Sequence, residues 1–410
     1  MSSSTKFLDT FPSFKYRNYR LWFGSQIISL LGTWMQTTAQ GFFVYELTKS
    51  PAFLGYVGFA AGIPTWLLMI YAGVFADRYS RRYIIMTTQT ILMILAFILA
   101  ALAFTNTVQP WHIIVLAFFA GIANSVEAPS RQAFVNELVP KEDLINAIAL
   151  NSTMFQSGAA LGPAIAGIVY AVFGPAWCFT INAISFLPVI YNLSRMHFEK
   201  KETQRTAVKR STVKELAGGF RYLRGQRLIM LVMVIIAMTS MFGLGMMTLI
   251  PDWAVDILHG DASTNGILQA SRGLGAVVCS LIIASQSRKI KKGLFVFSGL
   301  LTLSLFMILF SFNSTYIISC LLLFGVGVGM IAINNLSNSL TQSTVAEEFR
   351  GRIMAVYSFS FFALMPVGAL WAGMLAEHLG SPAAVLINGT ILFSFAVFVW
   401  FKFPRLRSIG

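Results

Sequence analysis

The chain has 410 residues, 56% of them apolar or aromatic and only 11% charged, where a soluble protein carries about 25% charged residues. That composition excludes a soluble enzyme, a disordered scaffold and a collagen-like fibre. The 30 Lys and Arg against 16 Asp and Glu leave a net charge of +14, which points either to nucleic acid or to an anionic membrane surface.

Met1 to Arg17 is polar and basic and lacks an apolar core followed by a small-residue cleavage site. It reads as a retained tail rather than a signal peptide. Twelve apolar runs follow, each near the roughly 20 residues that a bilayer requires. They are 20–46, 52–75, 83–105, 111–135, 144–172, 176–196, 227–256, 263–285, 293–312, 315–341, 352–378 and 382–402. Residues 197–226 form the only long polar connection, and Lys209 to Arg224 within it has the pattern of a short amphipathic helix lying on the membrane. The expected organisation is a first bundle over 1–196, a linker over 197–226 and a second bundle over 227–410.

With the N-terminus in the cytoplasm, 28 of the 30 cations fall on that side of the membrane, and only Lys49 and Arg272 do not. Cytoplasmic connections retain Lys and Arg, so both termini are expected there. The basicity is topology, and nucleic acid is not an expected partner. Cys178, Cys279 and Cys320 lie inside apolar runs and read as inert thiols.

The two halves are copies. A shift of 206 residues carries Gly121 onto Gly327, Val139 onto Val345, Glu142 onto Glu348, Gly162 onto Gly368, Gly167 onto Gly373 and Asn182 onto Asn388. Parallel repeats that enclose a site near the midplane are a transporter architecture. The expected fold is an all-α membrane protein of twelve transmembrane helices in two pseudo-symmetric six-helix bundles.

Arg272 is the lone cation inside an apolar span. An ionisable side chain at that depth faces a cavity or a partner, so it reads as a counter-charge for an anionic substrate group or a titrating carboxylate, against a structural ion pair or a snorkelling side chain. Glu127 has Arg131 one turn later, a spacing that allows a salt bridge. The pair is read as a gate, a proton carrier or a static helix-end pair.

Asp252 and Asp256 follow Pro251 near the end of span 7, where an interrupted helix marks a gate or simply a solvated end. Glu46 has the same solvated reading. Span 1 carries Gln26, Ser29, Thr33, Thr37 and Gln40 at helical spacing, with Trp34 and Gln36 beside them. Ser29 and Thr33 read as packing, and Gln26, Trp34, Gln36 and Gln40 as substrate contacts. Asn124 in span 4 and Asn334 and Asn338 in span 10 join them, whereas Asn182 and Asn388 read as packing. No phosphate-binding loop is present, so ATP does not drive the protein directly, and the four histidines form no ligand spacing. Neither a cofactor nor a metal is expected, and the protein is not expected to be an enzyme.

The run Gly73-Val-Phe-Ala-Asp77-Arg78-Tyr79-Ser80-Arg81-Arg82 resembles the loop signature of the major facilitator superfamily, with Ser80 where the family has Gly. Gly158, Gly162, Pro163 and Gly167 resemble that family's antiporter motif. The stretch Glu127 to Pro140, with Glu348-Phe349-Arg350-Gly351-Arg352, is similar to the branch of enterobactin exporters and macrolide-efflux proteins.

The resemblance implies a secondary transporter in a bacterial inner membrane, exporting amphipathic, drug- or siderophore-like molecules as a proton antiporter and working as a monomer. Asp77, Arg78, Arg81 and Arg82 would then lock the cytoplasmic side, with Glu127, Arg131 and Asp252 serving coupling or gating. One departure is Leu116 to Gly121, which lacks the Arg that drug/proton antiporters often carry in span 4. The alternatives are an importer, a lipid or metabolite transporter of the same fold, or a non-transporting receptor or scramblase.

Overall fold

The computed structural model describes residues 11–196, 218, 221–223, 225–286 and 291–404; the side chains of 69–78 and 286 are also outside the description. The proposed surface helix at Lys209 to Arg224 lies almost entirely outside the described residues.

Among the described residues, twelve membrane-length helical segments carry the fold. The first bundle has α1 (Arg17–Thr48), α2 (Pro51–Arg78), α3 (Arg81–Phe104), α4 (Pro110–Leu138), α5 (Leu144–Phe173) and α6 (Pro175–Arg195). The second has α7 (Arg227–Ile257), α8 (Ala262–Gln286), α9 (Lys292–Ser311), α10 (Tyr316–Thr344), α11 (Glu347–Leu379) and α12 (Ser381–Lys402). No strand occurs among the described residues. All of these segments except α1 are both long and apolar enough to cross a membrane. α1 spans 32 residues, about 48 Å at 1.5 Å per residue, but its polar side chains lower its hydropathy. A helix of that kind is stable in a bilayer only when its polar face is turned inward.

The ends of these helices follow from local chemistry. Pro stands at the first or second position of α4, α6 and α12, where its missing N–H is not needed. Gly174 and Gly380, at matching repeat positions, adopt φ of 86° and 81° between α5 and α6 and between α11 and α12. Only glycine takes that backbone freely. Before α1, Ser13 Oγ donates to Asn146 Oδ1 (2.8 Å) and Tyr16 Oη donates to Asp143 Oδ2 (2.7 Å), pinning the chain start to the α4–α5 connection. The Asp143 bond holds the Tyr16 phenol above its usual pKa.

The interruption read at Pro251 is present and longer than expected. α7 is regular only to Met238, then passes through π turns at Thr239–Leu244, a 3-10 turn at Gly245–Leu249 and π turns at Trp253–Ile257. Proline removes one ladder donor, and the Ile250 N–H turns back to the Met247 carbonyl. π turns inside helices recur where a helix must bend.

Two seams join the bundles, and they are copies of one another. On α2, Gly55 lies against Ala369 and Gly373 of α11, and Gly62 lies against Pro366. On α8, Gly266 lies against Pro163 and Gly167 of α5, and Gly273 against Ala159 and Ala160. A Cβ at Gly266 would fall 2.5 Å from the Pro163 carbonyl oxygen, and one at Gly273 2.5 Å from Ala160 Cα. Small residues allow such backbone approach, which replaces the hydrophobic effect as the cause of helix association in lipid.

Candidate functional site

The wall between α1 and α5 is built on the antiporter-like motif. Trp34 sits over Gly158 and Gly162, where a Cβ would come within 2.9 Å of Trp34 Cδ1 and 2.5 Å of Trp34 Cβ, respectively. The Phe155 ring meets Trp34 edge-on at 5.5 Å and is 41% exposed. Pro163 and Gly167 face the other way, to Gly266 of α8. The motif therefore seats an aromatic side chain on one helix face and closes an inter-bundle seam on another.

Two of the glutamines on α1 are engaged by neighbouring helices or enclosed by packing in this arrangement. Gln36 does not stand free: its Oε1 accepts a hydrogen bond from Asn182 Nδ2 at 2.6 Å, tying α1 to α6. Gln26 is fully buried in this arrangement and both polar atoms of its amide lack a partner. Gln40 is half-buried, as is Trp34. Asn182 and Asn388 act as helix ties, the latter accepting from Trp371 Nε1 at 3.0 Å.

A chain of polar groups crosses α1, α3 and α4. Ser29 Oγ donates to Gln89 Oε1 at 3.4 Å, and Gln89 Nε2 donates to Glu127 Oε1 at 2.7 Å. Glu127 is 4% exposed and its Oε2 has no partner. Arg131 Nη1 stands 3.9 Å from Oε1, so the i,i+4 pair is loose and Gln89 is the closer partner. Asn124, one turn earlier on α4, is exposed.

On α8 a polar stripe runs along the side opposite its exposed apolar face, which carries Ile267, Leu274, Val278 and Leu281. Gln269 Nε2 donates to Asn265 Oδ1 at 3.1 Å, and Arg272 continues the same face at helical spacing. Arg272 Nε is buried without a partner, and neither ion pair among the described residues includes this arginine. On α10, Asn338 Oδ1 accepts from Gln342 Nε2 at 2.6 Å, and the Asn334 carbonyl accepts from Tyr357 Oη at 2.9 Å. Both asparagines are half-buried.

All hydrogen bonds between the bundles among the described residues lie in the half remote from the chain start. Asp252 is 6% exposed and accepts from Tyr45 Oη, which corrects the reading of a solvated end; Asp256 is exposed. Glu46, expected to be free in solvent, accepts from Tyr170 Oη and ties α1 to α5. Glu377 Oε2, near the end of α11, accepts from Ser50 Oγ (2.6 Å) and the Ala52 N–H (3.1 Å). A carboxylate from one bundle thus satisfies an orphan N–H at the start of the other's α2, a charge-assisted cap.

At the basic face, Arg81 Nη1 donates to Glu137 Oε1 at 2.7 Å. Arg82 donates to the Met196 and Ser194 carbonyls at 2.9 and 2.8 Å, capping α6. These contacts stay within the first bundle. The side chains of Asp77 and Arg78 lie outside the described residues.

The sequence reading missed Gln89, Asn265, Gln269, Tyr45 and Glu377. The i, i+4, i+7 spacing of Asn265, Gln269 and Arg272 was a usable signal. Gln89 is brought to Glu127 only by the packing of α3 on α4, and nothing in its own span marks it.

The family profile described as transmembrane secretion effector matches residues 9–409. The staphyloferrin A transporter of Staphylococcus aureus (strain NCTC 8325 / PS 47) is 23% identical over 392 residues, covering 95% of this chain and 97% of that protein. Macrolide efflux protein A of Streptococcus pyogenes is 19% identical over 400 residues, covering 95% and 96%. Among solved structures, a bacterial homologue of the human lysosomal transporter Spinster, inward-facing and unoccupied, superposes with a TM-score of 0.71 at 12% identity, covering 95% of this chain and 97% of that one.

Proposed function

Because the chain belongs to the transmembrane secretion effector family of the major facilitator superfamily, we propose that it is a proton-coupled exporter of amphipathic organic molecules working by alternating access in a bacterial inner membrane. The duplicated seams carry this reading. They close the face remote from the chain start, while among the described residues no hydrogen bond joins the bundles at the basic face. The cation distribution supports a cytoplasmic basic face and cytoplasmic termini, which makes the present arrangement inward-open. Rocking about the seams would then expose the site to the other side. Export is favoured over import by the relative named as a macrolide efflux protein.

Glu127 supports the coupling step. It is a buried carboxylate with one free oxygen on the same bundle as the half-buried Trp34. One inward proton gains about 2.3 kcal/mol per 100 mV, enough to sustain roughly a fifty-fold substrate gradient. Purified protein in liposomes, loaded with erythromycin, ethidium or the organic acid 1-naphthaleneacetate and given an imposed pH gradient, should move at least one of them against its concentration gradient as protons run down theirs. Flux that ignores the pH gradient removes the antiport reading, and proton-driven movement in the same direction as the substrate makes the protein an importer.

A further inference from the structure

Arg272 is the tenth residue after Ala262 and lies fourteen before Gln286, about 15 and 21 Å from the two ends of α8. An extended arginine side chain reaches neither interface from there, so snorkelling does not explain it. Its side chain is on the face of α8 turned away from the exposed Ile267, Leu274, Val278 and Leu281, which excludes lipid as its surroundings. On the same stripe Asn265 and Gln269 bond each other, yet Arg272 Nε is buried with no partner and no carboxylate stands within 4.0 Å among the described residues. The structural ion pair that would make this cation part of the scaffold is therefore not there.

The repeat supplies an internal control. Gly55 and Gly62 in α2 match Gly266 and Gly273 in α8 by their seam contacts, which sets Arg272 opposite Ala61. The backbones confirm the match: the Ala61 carbonyl lies against Gly121 of α4, and the Arg272 carbonyl against Gly327 of α10. A charge needed to pack α8 on α5 and α10 would be needed equally to pack α2 on α11 and α4, and the first copy does without it. At the same depth, the Ala159–Ala160 stretch of α5 touches Gly273 while neighbouring Gly158 seats Trp34, whose edge is met by the exposed Phe155.

We propose that Arg272 is an anion subsite of the transport pathway and that the substrate is an amphipathic organic acid, its carboxylate bound by the guanidinium and its apolar part against Trp34 and Phe155. A planar carboxylate matches the donor fork of arginine. The assignment rests on the export reading above for its place in a transport cycle, but the binding step is separable from it.

The test uses the purified full chain in a neutral detergent, with 1-naphthaleneacetate and cholate as acids and 1-naphthaleneacetamide as the uncharged counterpart of the first. Binding raises the melting temperature by mass action. The acids should raise it and the amide should not. Arg272→Ala, which installs the residue that the other repeat copy uses, should fold and melt at or above the wild-type temperature and weaken acid binding by about tenfold or more. Arg272→Lys should retain part of the response. A lower melting temperature for the unliganded Arg272→Ala protein together with an intact acid response would make the arginine structural and overturn the proposal. Equal stabilisation by acid and amide, or none by either acid, also overturns it. So does stabilisation through Arg272 by phosphatidylglycerol alone, which would make the anion a lipid headgroup. Acid binding through Arg272 without pH-driven flux would keep the subsite and sink the export reading instead.

Discussion

Glu127 shows how much of a membrane carboxylate's behaviour is set by a neutral neighbour. Its Oε1 is held by Gln89 at 2.7 Å, Arg131 stands back at 3.9 Å, and Oε2 is left without a partner. An unpaired buried oxygen is costly, and a position that leaves one in place is suited to a group that gains and loses a proton. Glu127→Gln keeps the shape and the hydrogen bonding but removes the titration. It is expected to cut pH-driven flux at least tenfold while leaving substrate-for-substrate exchange and the melting temperature near wild type. Equal loss of both fluxes would assign the residue to packing. Glu127 and Arg131 were legible in the sequence because their spacing is local. The Gln89 contact was not, since it joins residues 38 apart through the packing of two helices. The solvated-end reading of Asp252 failed for a related reason: its position after Pro251 suggested a wet helix end, and its hydrogen bond from Tyr45, 207 residues away, is invisible locally.

At the scale of elements, the antiporter-like glycines and the seam glycines act through the same property, the absence of a Cβ. Helix α5 uses Gly158 and Gly162 to seat Trp34 and Gly167 to meet α8, so one helix supports both the site and the seam. In α7, loss of the regular ladder from Thr239 onward brings Gly245 against Gly368 of α11. The seam leads to a direct test. Gly266→Val places side-chain atoms against the Pro163 carbonyl and Gly167 backbone, neither of which can yield as a flexible side chain does. The remote face should then fail to close, and a cysteine at position 338 should become less accessible to a membrane-impermeant thiol reagent from the basic face. Gly24→Val, where nothing lies within 4 Å, is the control and should change neither accessibility nor flux. The twelve spans and the repeat could be read from hydropathy and a constant offset. The seams could not, because the α2/α8 glycines are related by a different shift from the 206 residues that hold for the later helices.

For the molecule as a whole, function depends on a balance between two closures, and the contacts described here load one side of it. The remote face is held by the seams and by two carboxylates of the second bundle, Asp252 on Tyr45 and Glu377 on Ser50 and the Ala52 N–H. The basic face has Arg81–Glu137 and the Arg82 cap, which stay inside one bundle and impose no closure. A hydrogen bond contributes about 1 kcal/mol net, more when one partner is charged, so removing both carboxylate contacts should shift the ratio of the two states by about tenfold or more. Tyr45→Phe combined with Glu377→Ala is therefore expected to populate the state open at the remote face. Spin labels on the basic ends of α4 and α10, in a background lacking Cys178, Cys279 and Cys320, should report a shorter distance in the double variant. The complementary trap is a disulfide between cysteines at positions 50 and 377. It should hold the present arrangement, stop flux, and release it on reduction. If the trapped protein transports at the wild-type rate, the remote face does not open during the cycle, and alternating access about these seams is wrong.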